Sequence, residues 1–248
     1  MQILVDGVKT NYLDINPDQE KTIVILHGWG SSLTYWIPVS KLLSQNHRII
    51  LVDLPGFGLT SPIDDTPDIP EYTGFIRKFA QELKLEKFIL AGHSFGGQIA
   101  LDYALKFPQD LISIILIAPA AIWEDSRIID LKVRVADKLK PLLADPSHVL
   151  MEQLLGWYTP DDYANSNEYQ KKVLKKIVKY NLEPKLKNIT VSTDIIWGNI
   201  DFVIPNTGDH LVKIIPNSKL HIIPGANHLI NLTHPEKLSS IMNKILGS

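Results

Sequence analysis

A chain of 248 residues has the length of one α/β domain or of two small domains. Its formal net charge of -2 argues against nucleic acid as a main partner, because binding to phosphates requires a clear basic excess. The sequence contains no cysteine, which excludes disulfides, thiolate metal sites and a cysteine nucleophile.

Neither the first residues nor the longest apolar stretch indicates a membrane segment. The start, M-Q-I-L-V-D-G, lacks the basic region of a signal peptide. The apolar stretch at 111–123 is interrupted by Ser113 and Pro119, and it is shorter than the roughly 20 residues of a membrane-spanning helix. We therefore expect a cytoplasmic protein with no stable membrane insertion.

Strand and helix patterns alternate through the first half of the chain. Two short runs flank Asp6-Gly7, a strong two-residue turn signal, and predict a hairpin. Continuous apolar runs, which suit strands covered on both faces, follow at 22–26, 48–52, 87–91 and 112–118. Helical patterns separate these runs at 35–44, 72–83 and 97–107. This alternation predicts a parallel sheet with right-handed crossovers.

The alternation stops near Pro119 and resumes with a strand at 193–197. A short helix at 208–215, a strand at 219–223 and a helix at 235–246 follow. The residues in between carry apolar stripes at helical spacing: Ile128, Leu131, Val135 and Leu139 in one, and Tyr169, Val173, Ile177 and Tyr180 in another. We predict a core of residues 1–122 and 188–248, with a helical cap, 123–187, inserted into it.

The stretch G-H-S-F-G at 92–96 is a G-x-S-x-G pattern between a predicted strand and a predicted helix. In that context Ser94 lies on a sharp turn as a nucleophile, and Gly92 and Gly96 relieve the crowding around it. Taken alone, the stretch also fits a serine that caps the following helix. The choice depends on whether the sequence supplies a base and an acid.

A serine nucleophile requires a histidine base. Of the eight histidines, His228 in P-G-A-N-H directly follows the last predicted strand, and we predict it as the base. His234 precedes Pro235 and is better explained as part of the start of the final helix. His27, beside a glycine turn, is interpreted as a supporting hydrogen-bonding residue.

The base in turn requires an acid that orients it. Asp201 in W-G-N-I-D follows the strand at 193–197 and is the predicted acid. Glu124 or Asp125, after the strand at 112–118, is the alternative. The order Ser94, Asp201, His228 is the one expected for this architecture and favours the nucleophile interpretation.

An acyl-transfer site also needs N–H donors for the developing oxyanion, and removing one donor costs about 3–4 kcal/mol. We predict the backbone N–H of Phe95, at the start of the helix after the nucleophile, and that of Trp29 in H-G-W-G. The side chains of Trp29, Trp123 and Trp157 are predicted to line the substrate pocket. The sequence contains neither H-E-x-x-H nor G-K-[ST], so we expect no metal site and no P-loop.

Five motifs together resemble the α/β-hydrolase superfamily: H-G-W-G, D-L-P-G-F-G, G-H-S-F-G-G, W-G-N-I-D and G-A-N-H, in that order. The resemblance covers roughly 22–123 and 188–247. It implies the α/β-hydrolase fold, a mostly parallel eight-stranded sheet flanked by helices, with an inserted helical cap. Within the superfamily the chain is most similar to small bacterial esterases and to carbon–carbon bond hydrolases of aromatic degradation. Ser94 argues against epoxide hydrolases and haloalkane dehalogenases, which carry an aspartate nucleophile.

The resemblance implies a two-step serine hydrolase mechanism that needs no cofactor. We expect a carboxylesterase that acts on short or medium acyl esters and lactones through an acyl-serine intermediate, with a small ester-like molecule as its partner. Three alternatives stay open: a carbon–carbon bond hydrolase, an amide or peptide hydrolase, and a small-molecule receptor that retains the triad. The oligomeric state, monomer or dimer, is also open.

Overall fold

An eight-stranded sheet forms the centre of the protein. The structure, a computed structural model, describes residues 1–43, 46–63, 66–122, 166–204 and 206–247. The strand order is β1-β2-β4-β3-β5-β6-β7-β8. The strands are β1 (Gln2–Val5), β2 (Val8–Ile15), β3 (Thr22–Leu26), β4 (Arg48–Val52), β5 (Phe88–His93), β6 (Leu111–Ile117), β7 (Ser192–Gly198) and β8 (Ser218–Ile223).

The pairing of the strands confirms the predicted, mostly parallel sheet. β1 and β2 form the expected antiparallel hairpin, in which Val5 pairs with Val8. The turn residues Asp6 and Gly7 have φ of 51° and 82°, as a two-residue hairpin turn requires. β2 is antiparallel to β4, and every later pair from β4 to β8 is parallel. The carboxyl ends of the parallel strands therefore meet at one edge of the sheet.

Helices cover both faces of this sheet. Among the described residues, the α-helices are α1 (Ile37–Leu43), α2 (Ile69–Glu82), α3 (Phe95–Lys106), α4 (Glu168–Ile177), α5 (Gly208–Ile214), α6 (Ile230–Thr233) and α7 (Pro235–Leu246). Short 3₁₀ helices lie at Leu33–Trp36, Pro108–Asp110 and Glu183–Asn188. The sequence analysis did not predict α6, a single turn that is too short to show helical periodicity.

The start of α2 lies earlier than the apolar pattern indicated. The helix begins at Ile69, because Asp68 and Glu71 form a capping box and Pro70 occupies the first turn. These polar and proline signals lie outside the apolar stripe. The apolar periodicity alone therefore predicts a helix that begins at Tyr72.

Two layers of apolar side chains sandwich the sheet. On one face, Val24 and Leu26 of β3 belong to a cluster with side chains of α2, α3 and α4. On the other face, Ile23 and Ile25 pack with side chains of α1 and α7. β3 is buried along its whole length, which explains its uninterrupted apolar sequence. Burying each such side chain contributes about 1.5–3 kcal/mol.

The last part of the predicted cap packs on the core. In α4, Val173 and Ile177 are buried, and the side chain of Gln98 on α3 donates hydrogen bonds to the carbonyl oxygens of Ile177 and Tyr180. Residues 123–165 of the predicted cap lie outside the described residues, so the boundaries 123–187 stay a prediction. No helix in the part of the chain that the structure describes has the length and apolar character to cross a membrane.

Candidate active site

Ser94 lies on the sharp turn between β5 and α3. Its φ of 53° and ψ of -114° are strained for a residue that carries a side chain. The Ser94 N–H donates to Ile117 O at 3.0 Å, and its carbonyl oxygen accepts from the N–H groups of Gln98 and Ala120. The hydroxyl makes no hydrogen bond that caps α3, so helix capping does not account for a serine at this position.

The glycines around Ser94 let backbone segments approach closely. A Cβ atom on Gly92 would lie 2.2 Å from Gly96 O, and one on Gly96 would lie 2.5 Å from Leu26 O. Both contacts are with backbone atoms, which cannot rotate away as a side chain can. The strained turn therefore depends on glycine at both positions, for the reason that the sequence analysis gave.

A hydrogen bond joins His228 to Asp201 at the same edge of the sheet. Asp201 follows β7, His228 follows β8, and His228 Nδ1 lies 2.8 Å from Asp201 Oδ2. The Asp201 side chain is fully buried, and that of His228 is 9% exposed. Since a carboxylate accepts, Nδ1 carries the proton and donates, which leaves Nε2 of the neutral ring as a proton acceptor.

The surroundings of Asp201 keep its carboxylate ionised. Burial alone would raise the pKa of Asp201, but the hydrogen bond and charge of His228 and the backbone N–H groups of Ile204 and Val203 outweigh it and hold the pKa below its ordinary value. Oδ1 accepts from Val203 N–H at 2.9 Å and from Ile204 N–H at 3.0 Å. Oδ2 accepts a further hydrogen bond from Trp197 Nε1–H at 3.1 Å. The sequence analysis did not predict this last contact.

The loops that carry the predicted acid and the predicted base are bonded to each other. The Ile200 N–H donates to Ala226 O at 3.1 Å, and the Gly225 N–H donates to Asn199 Oδ1 at 2.7 Å. A Cβ atom on Gly198 would lie 2.3 Å from Ala226 O, so glycine is what allows the two loops to touch. Asp201 and His228 thus belong to one bonded unit.

His93 connects this unit to the nucleophile turn. Burial and the nearby charge of His228 lower the pKa of His93 to about 3, so the ring is neutral near neutral pH. Its Nε2–H donates to the backbone oxygen of His228 at 2.9 Å, and the two rings lie 4.8 Å apart between centroids. The direction of this ring cannot be read from the residues around it, because its partner is 135 residues away along the chain.

The loop after β3 lies against Ser94. A Cβ atom on Gly28 would lie 3.0 Å from His93 Nδ1 and 3.5 Å from Ser94 Cβ. The next residue is Trp29, whose backbone N–H is a predicted oxyanion donor. Phe95, which carries the other predicted N–H, is the first residue of α3, where helical N–H groups have no carbonyl partner within the helix. Both predicted donors therefore belong to segments next to Ser94, and their role as oxyanion donors stays a prediction.

His27 and Asp53 fix the loops beside the site. The His27 Nδ1–H donates to Gly28 O at 2.7 Å, and its Nε2 accepts from the Leu54 N–H at 3.0 Å, as in a neutral ring. Burial lowers the pKa of His27, and the bond to Gly28 and the charge of Asp53 offset this only in part. Buried Asp53, which the sequence analysis missed, accepts from the N–H groups of Leu33 at 2.7 Å and Leu59 at 2.9 Å.

The Trp29 side chain connects the loop after β3 to the first turn of α4. Its Nε1–H donates to Gln170 O at 3.1 Å, and Gln170 Nε2 donates to Gly56 O at 3.1 Å. The indole also lies edge-on to Phe57, with centroids 6.4 Å apart. Its predicted role in lining the substrate pocket stays a prediction.

The other predicted site residues in the cap are outside the part of the chain that the structure describes. These are the pocket residues Trp123 and Trp157 and the alternative acids Glu124 and Asp125. The structure brings together Ser94, His93 and the loop at Gly28 on one side and Asp201 with His228 on the other. The His93 hydrogen bond joins the two sides.

A family model described as the alpha/beta hydrolase family matches residues 23–241. The chain belongs to the alpha/beta hydrolase family. Its similarity to human monoacylglycerol lipase ABHD6 is 29% identity over 259 residues, covering 94% of this chain and 77% of the relative. A 2-hydroxy-6-oxononadienedioate/2-hydroxy-6-oxononatrienedioate hydrolase of Cupriavidus pinatubonensis is 26% identical to this chain over 253 residues. The alignment covers 92% of this chain and 87% of the relative.

Solved structures of alpha/beta hydrolases share the fold. A thermophilic esterase from Thermogutta terrifontis superposes with a TM-score of 0.78 at 20% identity, covering all of this chain and 97% of the esterase. At this level of identity the likeness establishes the architecture and not the substrate. Membership of the alpha/beta hydrolase family therefore rests on the sequence match.

Proposed function

We propose that this alpha/beta hydrolase is a serine hydrolase that cleaves carboxylic esters through an acyl-serine intermediate. The observation that carries the proposal is the strained backbone of Ser94, φ 53° and ψ -114°, held where no capping role explains a serine. The bonded pair of Asp201 and His228 at the same edge of the sheet supports it.

In the first step His228 Nε2 takes the proton of the Ser94 hydroxyl while the serine oxygen attacks the ester carbonyl carbon. The N–H groups of Trp29 and Phe95 stabilise the negative charge that develops on the carbonyl oxygen. His228 then gives its proton to the leaving alcohol as the carbon–oxygen bond breaks, and the acyl group remains on Ser94. Asp201 holds the ring orientation and stabilises the imidazolium throughout.

In the second step water replaces the alcohol. His228 takes a proton from the water, whose oxygen attacks the acyl carbon, and returns that proton to Ser94 as the acid leaves. The two steps together consume only an ester and water, so the proposed reaction uses no cofactor. Short and medium acyl esters and lactones are the proposed substrates.

The test is the variant Ser94→Ala, assayed with p-nitrophenyl esters of increasing acyl length and with a fluorophosphonate label. We expect wild-type protein to be labelled on Ser94 and to hydrolyse esters. The variant should take no label and lose at least ~10³-fold in kcat, because the nucleophile is gone. Unchanged ester hydrolysis by Ser94→Ala would contradict the proposal.

A substrate panel separates esters from the other bonds that this family cleaves. It contains acyl esters including monoacylglycerols, lactones, aminoacyl amides and vinylogous diketones. We expect the highest kcat/KM on an ester or a lactone. A much higher value on a diketone would instead identify a carbon–carbon bond hydrolase, and one on an amide would identify an amidase. Binding of a small molecule without any turnover would indicate a receptor.

A further inference from the structure

The acid of the proposed triad accepts a hydrogen bond from a side chain that the mechanism above does not use. Trp197 lies in β7, is fully buried, and donates its Nε1–H to Asp201 Oδ2 at 3.1 Å. The same oxygen accepts the Nδ1–H of His228 at 2.8 Å. The indole therefore acts on the oxygen that orients the base.

The other donors to Asp201 differ from Trp197 in where they lie. The N–H groups of Val203 and Ile204, which bind Oδ1, belong to the same loop as Asp201 and move with it. His228 lies in the loop after β8, which is hydrogen-bonded to the loop of Asp201. His228 would therefore move together with Asp201 if these loops were displaced. Trp197 belongs to a strand that is paired on both sides, and its side chain is packed in the apolar core. Its N–H is thus fixed to the sheet.

We infer that Trp197 is a positioning residue, whose indole N–H fixes the Asp201 carboxylate to the sheet and thereby keeps Oδ2 facing His228. This inference rests on the proposed function, since it assigns a role within the proposed triad. Trp197 touches neither substrate nor the reacting atoms. Without its N–H, all the remaining described partners of the carboxylate shift with the two loops, and the hydrogen bond to His228 is weakened.

The matched pair of variants is Trp197→Phe and Tyr103→Phe. Each removes a hydrogen bond that a fully buried aromatic side chain donates to a carboxylate, but Tyr103 OH binds Asp110, which precedes β6 at the opposite edge of the sheet from Asp201. A second replacement at position 197, 3-benzothienylalanine, keeps the size of the indole and removes only the N–H. It serves in case Trp197→Phe fails to fold.

Two measurements are made on each variant. The first is kcat and KM on an ester that wild-type protein hydrolyses. The second is the downfield proton NMR resonance of His228 Nδ1–H, which is assigned by its loss in Asp201→Asn. With either replacement at 197 we expect kcat to fall roughly tenfold with KM unchanged, since one hydrogen bond is worth about that factor. The resonance should move upfield. Tyr103→Phe should keep both the resonance and kcat.

The resonance decides the inference without turnover. If it stays in place in both replacements at 197, or moves equally in Tyr103→Phe, Trp197 does not position Asp201. Wild-type protein that hydrolyses no ester would contradict the proposed function instead, while the resonance would still report on the Trp197 contact. Failure of the two proposals is therefore distinguishable.

Discussion

His93 shows how a buried histidine can support a site while weakening the fold in acid. Its ring is neutral and gives its Nε2–H to the backbone of His228, which ties the base to the nucleophile turn. Burial and the charge of His228 lower its pKa from 6.5 to about 3. Between these values the unfolded chain binds a proton that the folded chain does not, so stability rises with pH across this window.

The pH dependence of stability follows from this difference in proton binding. Lowering the pH from 7 to 5 should cost wild-type protein about 2 kcal/mol of unfolding free energy through His93, because each pKa unit corresponds to ~1.4 kcal/mol. His93→Asn removes the titrating ring. The unfolding free energy that this variant loses between pH 7 and pH 5 should therefore be smaller than the wild-type loss by about that amount. Urea unfolding at the two pH values measures both. Equal pH dependence in His93→Asn and wild-type protein would show that His93 does not remain neutral in the fold.

Residues with local signals could be predicted, and residues that depend on distant contacts could not. Ser94, Asp201 and His228 each lie in a short motif next to the end of a strand, so their proximity follows from the parallel sheet. The contact of Trp29 with Gln170 joins residues 141 positions apart, and no motif next to either residue predicts it. Trp197 lies four residues before Asp201, but a tryptophan in a strand is explained by packing alone.

At the scale of elements, the site depends on loops that approach too closely for side chains. Gly92, Gly96 and Gly198 face backbone atoms of the neighbouring segment at distances where no Cβ atom fits. Glycine in these turns is required by contact between segments. For Gly74, within α2, no atom of the described residues lies within 4 Å of the position where a Cβ would be.

Two substitutions of glycine by alanine should therefore act in opposite directions. Gly92→Ala should lower the free energy of unfolding by at least ~1–3 kcal/mol, because the new methyl group meets Gly96 O and the backbone must shift. Gly74→Ala should raise it by about 0.5–1 kcal/mol, the cost of glycine in a helix interior. Guanidinium unfolding of the two variants measures the difference. A Gly92→Ala protein as stable as Gly74→Ala would show that the turn can relax.

The element boundaries that sequence analysis missed have physical causes. α2 begins earlier than its apolar stripe because a capping box starts it, and α6 is a single turn. The direction and sequence of the parallel strands were predictable from alternation, whereas the position of β4 between β2 and β3 requires knowledge of pairing across the sheet.

At the scale of the whole molecule, the protection of backbone amides against hydrogen exchange should fall from the centre of the sheet to its edges. β3 and β5 are buried along their whole length and have a strand on each side, whereas β1 and β8 are edge strands with exposed residues. Edge strands open at lower cost than central ones. We expect the amides of β3 and β5 to exchange most slowly among the strands.

Hydrogen exchange followed by mass spectrometry measures this gradient. Peptides from β1 and β8 should exchange well before those of β3 and β5 at the same pH and temperature. The loop after β8 carries His228, so its exchange should slow when a fluorophosphonate occupies Ser94. Protection of β8 equal to that of β5 in the unlabelled protein would contradict the gradient.

The pairing of β6 with β7 has a consequence for how this fold can be altered. Ile117 and Ile196 are partners in neighbouring parallel strands, and a connection between such strands only has to be long enough to cross over. The pairing sets a minimum length for the connection and no maximum. We therefore expect the connection to tolerate insertions outside α4, which packs on the core, while the strands next to Ser94, Asp201 and His228 keep their register.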